Sequence, residues 1–472
     1  MLQFLTYLFI AIYTATVIGI ILVVILGNRN PLKTIPWVVV LIFAPVVGLV
    51  FYFFFGQDLR RKRIISRRTY KRLMVYALPA HVRRSDAPVP AACQSLSTLL
   101  TNTSQAVSFY GSRLTHYGDG ASKMTALLEE IEKARDHIHI LYYIFCDDET
   151  GARLQQALIR KAKEGVKVRV LYDDVGCNGV KKEFFQQMRD AGAEVHALLH
   201  VRFPMLTDRV NYRNHRKIVV IDGRVGFIGG MNIADRYVRG TEWGSWRDTH
   251  FRIEGSGVAG LQVAFLSDWS ATTKRHVSGS EYFPAAQRYT DNILQIVAGG
   301  PLGKWRALLQ ADSYAVANAR RRVWIQTPYY LPSDVLNTAL QTAALGGIDV
   351  RLMLPARSDS RLIDLASHSY LDDMMRAGVK ILFYEPGFLH SKLLIIDDGL
   401  TVIGSANMDF RSFEHNFEVN AFIYDAEFTS RMSAIFSDDA ARCHAVTPGE
   451  WFRRPRRRRW AESFMRVFSP LM

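Results

Sequence analysis

His215-Arg-Lys-Ile-Val-Val-Ile-Asp222, continued by Gly229-Gly-Met-Asn232, returns later in the chain as His390-Ser-Lys-Leu-Leu-Ile-Ile-Asp397, continued by Gly404-Ser-Ala-Asn407. Seventeen residues lead from histidine to asparagine in each copy. Residues two apart on an extended strand share a face, so the His and Lys of each copy point together to one side. The four apolar residues that follow bury the rest of the strand, Asp marks the turn out of it, and Gly-x-Asn returns an amide on a neighbouring strand. One such match could arise by chance. Two, with identical spacing and the same extension, mark an internal duplication.

Upstream of each copy the same elements recur. Ile138–Phe145 reads as a β-branched strand, a helical pattern runs to Glu164, and Gly165 opens a second strand through Leu171. In the second half the series is Arg322–Tyr330, a helical pattern to Leu345, and Gly347 through Leu354. Strand, amphipathic helix and buried strand make a βαβ unit, so both halves are expected to be α/β with mixed, largely parallel sheets and flanking helices.

The first sixty residues have a different character. Leu5–Leu26 carries no charged side chain and exceeds the roughly 20 residues that cross a hydrocarbon core. A polar break with Arg29 and Lys33 precedes a second apolar run, Ile35–Phe55, with Trp37 and Tyr52 near its ends and Pro45 inside it. The first run has neither the basic start nor the small-residue cleavage site of a secretory signal, so two spanning helices are expected. Arg60, Arg61, Lys62, Arg63, Arg67, Arg68, Lys71 and Arg72 follow at once, which by the positive-inside bias puts everything after residue 56 in the cytoplasm, together with the amino terminus.

The expected organisation is two membrane helices in 1–58, a basic segment and polar connector in 59–120, the two halves in 121–290 and 291–445, and a basic amphipathic tail in 446–472. In that tail Arg453–Arg459 is followed by Trp460, Phe464, Val467 and Phe468 at near-helical spacing, the pattern of an interfacial helix. The net charge of +15 draws polyanions, and beside membrane helices the natural one is anionic lipid rather than nucleic acid. Four cysteines without paired spacing favour reduced thiols over zinc or a disulfide framework.

The paired motifs resemble the phospholipase D superfamily over about residues 120 to 435. The N-terminal helix pair, Asn211-Tyr-Arg-Asn-His-Arg-Lys217, Trp246-Arg-Asp-Thr-His250 and the closing Ser469-Pro-Leu-Met472 look like bacterial cardiolipin synthases. The resemblance implies a pseudo-two-fold enzyme of the bacterial inner membrane whose half-sites meet in one phosphodiester-exchange centre, with no metal and no cofactor. It implies phosphatidyl transfer between two phosphatidylglycerols through a phosphohistidine, and leaves phosphatidylethanolamine or another alcohol open as acceptor. Homo-oligomerisation is compatible with it. The same centre would serve a phospholipase D-type hydrolase if water resolved the intermediate. A nuclease fits the charge but not the membrane helices, and a silent lipid-binding scaffold does not fit the intact histidines.

The residue types suit such chemistry. One of His215 and His390 attacks phosphorus, and the other protonates the leaving alkoxide; family analogy alone points to His215 as nucleophile. Lys217 and Lys392 hold the phosphoryl oxygens with Asn232, Asn407 and the Ser405 hydroxyl. Each histidine needs an acceptor to fix its tautomer. By resemblance Glu418 is expected to orient His390. The matching spacing from His215 falls on Trp243, which cannot accept, so Asp248 is taken for His215. Asp222 and Asp397, the last residues of the catalytic motifs, are expected to fix the strand ends and the lysines. Gly230 opposite Ser405 makes the halves unequal, as distinct donor and acceptor sides would be.

Overall fold

The computed structural model describes residues 1–26, 31–44, 47–48, 51–52, 88–200, 212–277 and 279–471. The N-terminal apolar residues form one unit and the described residues from 88 onward another. In the first unit the helix Leu2–Leu26 has 25 residues, about 37 Å at 1.5 Å per residue, and Gln3–Leu22 within it is long and apolar enough to cross a membrane. The second apolar run, expected to span 35–55, is described only in part. Its helix is Pro31–Phe43, 13 residues, about 20 Å long and short of the hydrocarbon thickness of about 30 Å. The rings of Trp37 and Tyr52 meet edge to face at 5.5 Å, whereas a straight helix would set them about 22 Å apart. The helix stops two residues before Pro45, in keeping with the bias against helix ahead of proline. Pro45 itself, the rest of that run at 46, 49–50 and 53–55, Arg29 and the basic residues Arg60 to Arg72 lie outside the described residues.

In the second unit each half folds its strands in the same lateral order. The first sheet runs Arg113–Tyr117, His250–Glu254, Val225–Gly229, Ile218–Ile221, His137–Tyr142, Lys167–Asp173, Glu194–Leu198. The second runs Ile293–Gly299, Glu418–Tyr424, Leu400–Gly404, Leu393–Ile396, Arg322–Gln326, Asp349–Pro355, Lys380–Tyr384, with Ser108–Tyr110 and Cys443–Ala445 added at its edges. Within these two sheets parallel pairing is confined to the βαβ strands, His137–Tyr142 with Lys167–Asp173 and Glu194–Leu198, and Arg322–Gln326 with Asp349–Pro355 and Lys380–Tyr384. The remaining pairs in both sheets are antiparallel. The sheets are mixed, as expected, but not largely parallel: the turns after Asp222 and Asp397 are too short for a crossover, and a tight turn joins only antiparallel strands.

Alternation along these strands builds the layers. Leu141, Ile218 and Val220 face one way into a core shared by both halves, with Leu393 and Ile395 from the second half, while Ile138, Ile140, Val219 and Ile221 face outward under the first half's covering helices. Leu394 and Ile396 do the same on the second half's outer side. The helices Val258–Thr273 and Ala426–Ala440 supply Leu261, Phe265, Trp269, Phe428, Met432 and Phe436 to the shared core. The polar stretch ahead of residue 120, read as a connector, is structured from residue 91: the helix Gln94–Ser104 buries Leu96 and Leu100 in the second half's core, and Arg113–Tyr117 joins the first half's sheet. Its apolar residues are few, and composition hid them.

Asp222 and Asp397 occupy equivalent corners. Each has a left-handed backbone, φ 52° and 51°. The Asp222 carboxylate accepts from the backbone N–H groups of Arg135, Asp136 and His137 at 2.8–2.9 Å. That of Asp397 accepts from Arg320, Arg321 and Arg322 at 2.7–3.1 Å. They pin the entry of the central parallel strand and do not line the cavity described below, which separates them from the histidines of their motifs. Asp222→Ala is expected to cost about 2–3 kcal/mol of stability by stranding backbone donors, seen as a lowered Tm, with kcat in the surviving folded protein changed less than threefold.

Candidate active site

The histidines stand just ahead of their strands, and each is delivered by a short ladder to the opposite half. Asn214 bridges Phe417 in parallel, with His215 N–H donating to Phe417 O at 2.9 Å. In the mirrored position Gly387–Leu389 pairs in parallel with Ser245–Arg247, and His390 N–H donates to Arg247 O at 2.7 Å. The residue after each receiving position is a carboxylate: Glu418 after Phe417, Asp248 after Arg247.

This crossing reverses the expected pairing of carboxylates. His215 Nδ1 lies 3.0 Å from Glu418 Oε1, and His390 Nδ1 lies 2.6 Å from Asp248 Oδ2. Glu418 therefore orients His215, not His390, and Asp248 orients His390, not His215. Asp248 is nevertheless the spatial counterpart of Glu418. The first half carries five more residues between histidine and carboxylate, including the helix Asp235–Arg239 and the Thr241–Gly244 turn, which is why equal spacing landed on Trp243. A carboxylate only accepts, so both Nδ1 atoms carry the proton and both Nε2 atoms are left with a lone pair. Burial lowers the pKa of His215 despite the Glu418 charge. Burial and the Lys392 charge push His390 down to about 3 against the pull of Asp248. Both shifts favour the neutral imidazole.

Lys217 and Lys392 are buried behind them. Lys217 Nζ donates to His215 O at 2.6 Å and Lys392 Nζ to His390 O. Burial lowers them to about 7 and about 8, offset by Glu418 and Asp248. Ser405 is not placed as expected. Its hydroxyl donates to Glu418 Oε2 and accepts from Val419 N–H, so it seats the carboxylate rather than facing a phosphoryl group. Gly230 does the converse: a Cβ there would stand 2.1 Å from Asp248 Oδ1. The Gly/Ser inequality thus reflects how a short and a long carboxylate are seated, a different cause from donor and acceptor sides.

Asn232 and Asn407 do reach the cavity, which has a volume of about 450 Å³ and is lined by both histidines and by Tyr143, Tyr237, Trp246 and Tyr329. Asn232 accepts from Ile144 N–H at 3.1 Å, and Asn407 donates to Asp409 at 3.0 Å. Three arginines on the same wall escaped the sequence reading: Arg213, Arg236 and Arg411. Arg236 and Arg411 each follow their asparagine by four residues, so the repeat itself was the signal. The arrangement can do nucleophilic displacement at a phosphodiester: two lone pairs converge on one cavity, with fixed cations behind each.

Known proteins carry the same features. The sequence matches the family described as "Cardiolipin synthase, PLD-like domain" over residues 127–245 and 314–440, and "Phospholipase_D-nuclease N-terminal" over 14–57. It is 41% identical to cardiolipin synthase 2 of Bacillus cereus over 95% of this chain and 89% of that protein. It is 36% identical to the major cardiolipin synthase ClsA of Bacillus subtilis over 96% of each. The fold is shared with the crystal structure of a Haemophilus influenzae phosphatidylserine synthase, TM-score 0.62 at 15% identity, over 80% of this chain and 97% of that one. With near-complete coverage of those relatives and both halves matched by one family, the chain belongs to the cardiolipin synthases of the phospholipase D superfamily.

Proposed function

We propose that the protein is a membrane-anchored phosphatidyltransferase joining two phosphatidylglycerols into cardiolipin with release of glycerol. The observation that carries the reading is the crossed pair, His215 on Glu418 and His390 on Asp248, facing one cavity in a chain with an apolar N-terminal helix. One histidine's Nε2 forms the N–P bond as the P–O bond to glycerol breaks. The other, protonated by then, gives its proton to the departing oxygen. The acceptor hydroxyl returns a proton to that second imidazole, its oxygen attacks phosphorus, and the N–P bond breaks. Lys217 and Lys392 hold the non-bridging oxygens, with Asn232 and Asn407 at the rim. The bound diester's negative charge raises the second histidine from its depressed state, so the acid forms when substrate is present.

The catalytic body faces the cytoplasm, as the basic residues after the apolar runs imply. The tail helix Arg456–Arg466 is tied to the body by Arg454–Asp372 at 3.0 Å and Arg466–Asp373 at 3.7 Å. It leaves Trp460, Phe464 and Val467 exposed by 79%, 64% and 73%, ready to enter a bilayer surface.

The test is mass spectrometry of lipids after purified protein meets phosphatidylglycerol vesicles. Cardiolipin with stoichiometric glycerol supports the transferase. Phosphatidic acid without cardiolipin would make the protein a hydrolase and overturn the reading. The buried lysines add a pH dependence. A lysine that loses its proton loses its grip on the phosphoryl oxygens, so kcat/KM is expected to fall as pH rises through about 7 to 8. Bound diester raises the lysine values, so the fall in kcat should come at higher pH. Coincident limbs would exclude the lysines as the source.

A further inference from the structure

Arg236 and Arg411 are equivalent in the repeat, each twenty-one residues beyond its histidine and each on the short helix after the Gly-x-Asn turn. Both line the catalytic cavity. Their placement is crossed like that of the carboxylates. Arg236, of the first half, lies over the rings of Tyr237 and Trp246 at 5.5 and 5.9 Å, and those rings flank His390 at 5.9 and 5.3 Å. Arg411, of the second half, acts electrostatically on Tyr143, whose ring meets His215 edge to face at 5.0 Å. Each histidine thus shares the cavity with an arginine from the other half.

Charge accounting separates these arginines from the other cations. Lys217 and Lys392 are balanced by Glu418 and Asp248, and Arg213 is held by Asp173 at 3.1 Å. Among the described residues neither Arg236 nor Arg411 has a carboxylate partner. The other two carboxylates on this wall, Asp359 and Asp409, are held by the Tyr329 hydroxyl and by Asn407 with the Ser412 N–H. A guanidinium there with no carboxylate in contact is a site for an external anion, and its fork matches phosphate oxygens. The reacting diester already has the two lysines.

We propose that Arg236 and Arg411 form a second anion-binding tier that holds the phosphate of the acceptor lipid, selecting an anionic phospholipid with a free hydroxyl over a neutral alcohol. This rests on the transferase reading above and names what that site selects. Two tiers suit a product with a phosphate on either side of its central glycerol, whichever histidine is the nucleophile.

The test compares two acceptors at one centre. Phosphatidylglycerol vesicles are incubated with isotope-labelled glycerol, so that glycerol exchange and cardiolipin formation are read together. Exchange uses the same phosphorylated histidine but an acceptor without phosphate. In R236Q/R411Q the ratio of cardiolipin to exchanged phosphatidylglycerol is expected to fall at least tenfold, with a raised KM for the acceptor. R236K/R411K, which keeps the charge, is expected to recover part of that ratio. Each single variant then shows which side takes the acceptor. A ratio within twofold of wild type overturns the proposal, whether both reactions persist or both fall together. Wild-type protein that makes no cardiolipin would refute the transferase reading instead, a separate outcome.

Discussion

Alanine at His215 or at His390 is expected to stop turnover by itself, with a loss on the order of 10⁴-fold or more, and the double replacement is expected to be little worse. The reason is geometric. Both side chains line one cavity, and each is held by a carboxylate of the opposite half, so neither half contains a complete centre. Without the attacking histidine no N–P bond forms. Without its partner the glycerol oxygen must leave as an unprotonated alkoxide. The two losses lie on one path and do not multiply. The measurement is steady-state cardiolipin formation in the two single variants and the double, paired with glycerol release in a single turnover. Retention of about half the activity in either single variant would mean independent half-sites and would break the shared-cavity account.

Much of this was readable from the repeat. The repeat singles out His215, His390, Asn232 and Asn407, which the fold brings to one cavity, while Lys217 and Lys392 lie buried behind the histidines, just ahead of the strands rather than on them. What stayed hidden has a common cause: it lies between halves rather than within one. The resemblance pairs Glu418 with the histidine of its own half, His390, while the fold gives it to His215 through the Asn214–Phe417 bridge. Five extra residues before Asp248 then removed the echo that would have exposed the symmetry. Ser405 failed for a similar reason, because a hydroxyl beside Gly-x-Asn reads as a ligand until Glu418 is seen to take it. In the sheets, periodicity found the strands but not their direction; that depended on turn length after Asp222 and Asp397. In the second apolar run composition measured hydrophobic length, and the Trp37–Tyr52 contact shows that the chain does not use that length as one straight helix.

The crossing makes the second large prediction. Asp248→Asn is expected to lower kcat on the order of 10³- to 10⁴-fold, because an amide can donate to Nδ1 and so turn the His390 ring to the wrong tautomer. Glu418→Gln should act likewise on His215, softened by the Ser405 hydroxyl that holds the side chain in place. Activity alone cannot tell crossed from same-half pairing, since either carboxylate matters in both. The imidazole ¹⁵N signals can: Asp248→Asn should move those of His390 and leave His215 unchanged, and Glu418→Gln should do the reverse. The opposite assignment would overturn the crossed geometry. Gly230 sharpens the point. A Cβ there meets Asp248 Oδ1 at 2.1 Å, and that carboxylate is fully buried. Gly230→Ser, which would put at this position the residue the second motif has, is therefore expected to mimic Asp248→Asn at the His390 ring. Ser405→Ala removes only one hydrogen bond to Glu418 and should cost less than tenfold. The halves work alike because they are not identical: each residue at this position is fitted to the length of the carboxylate beside it.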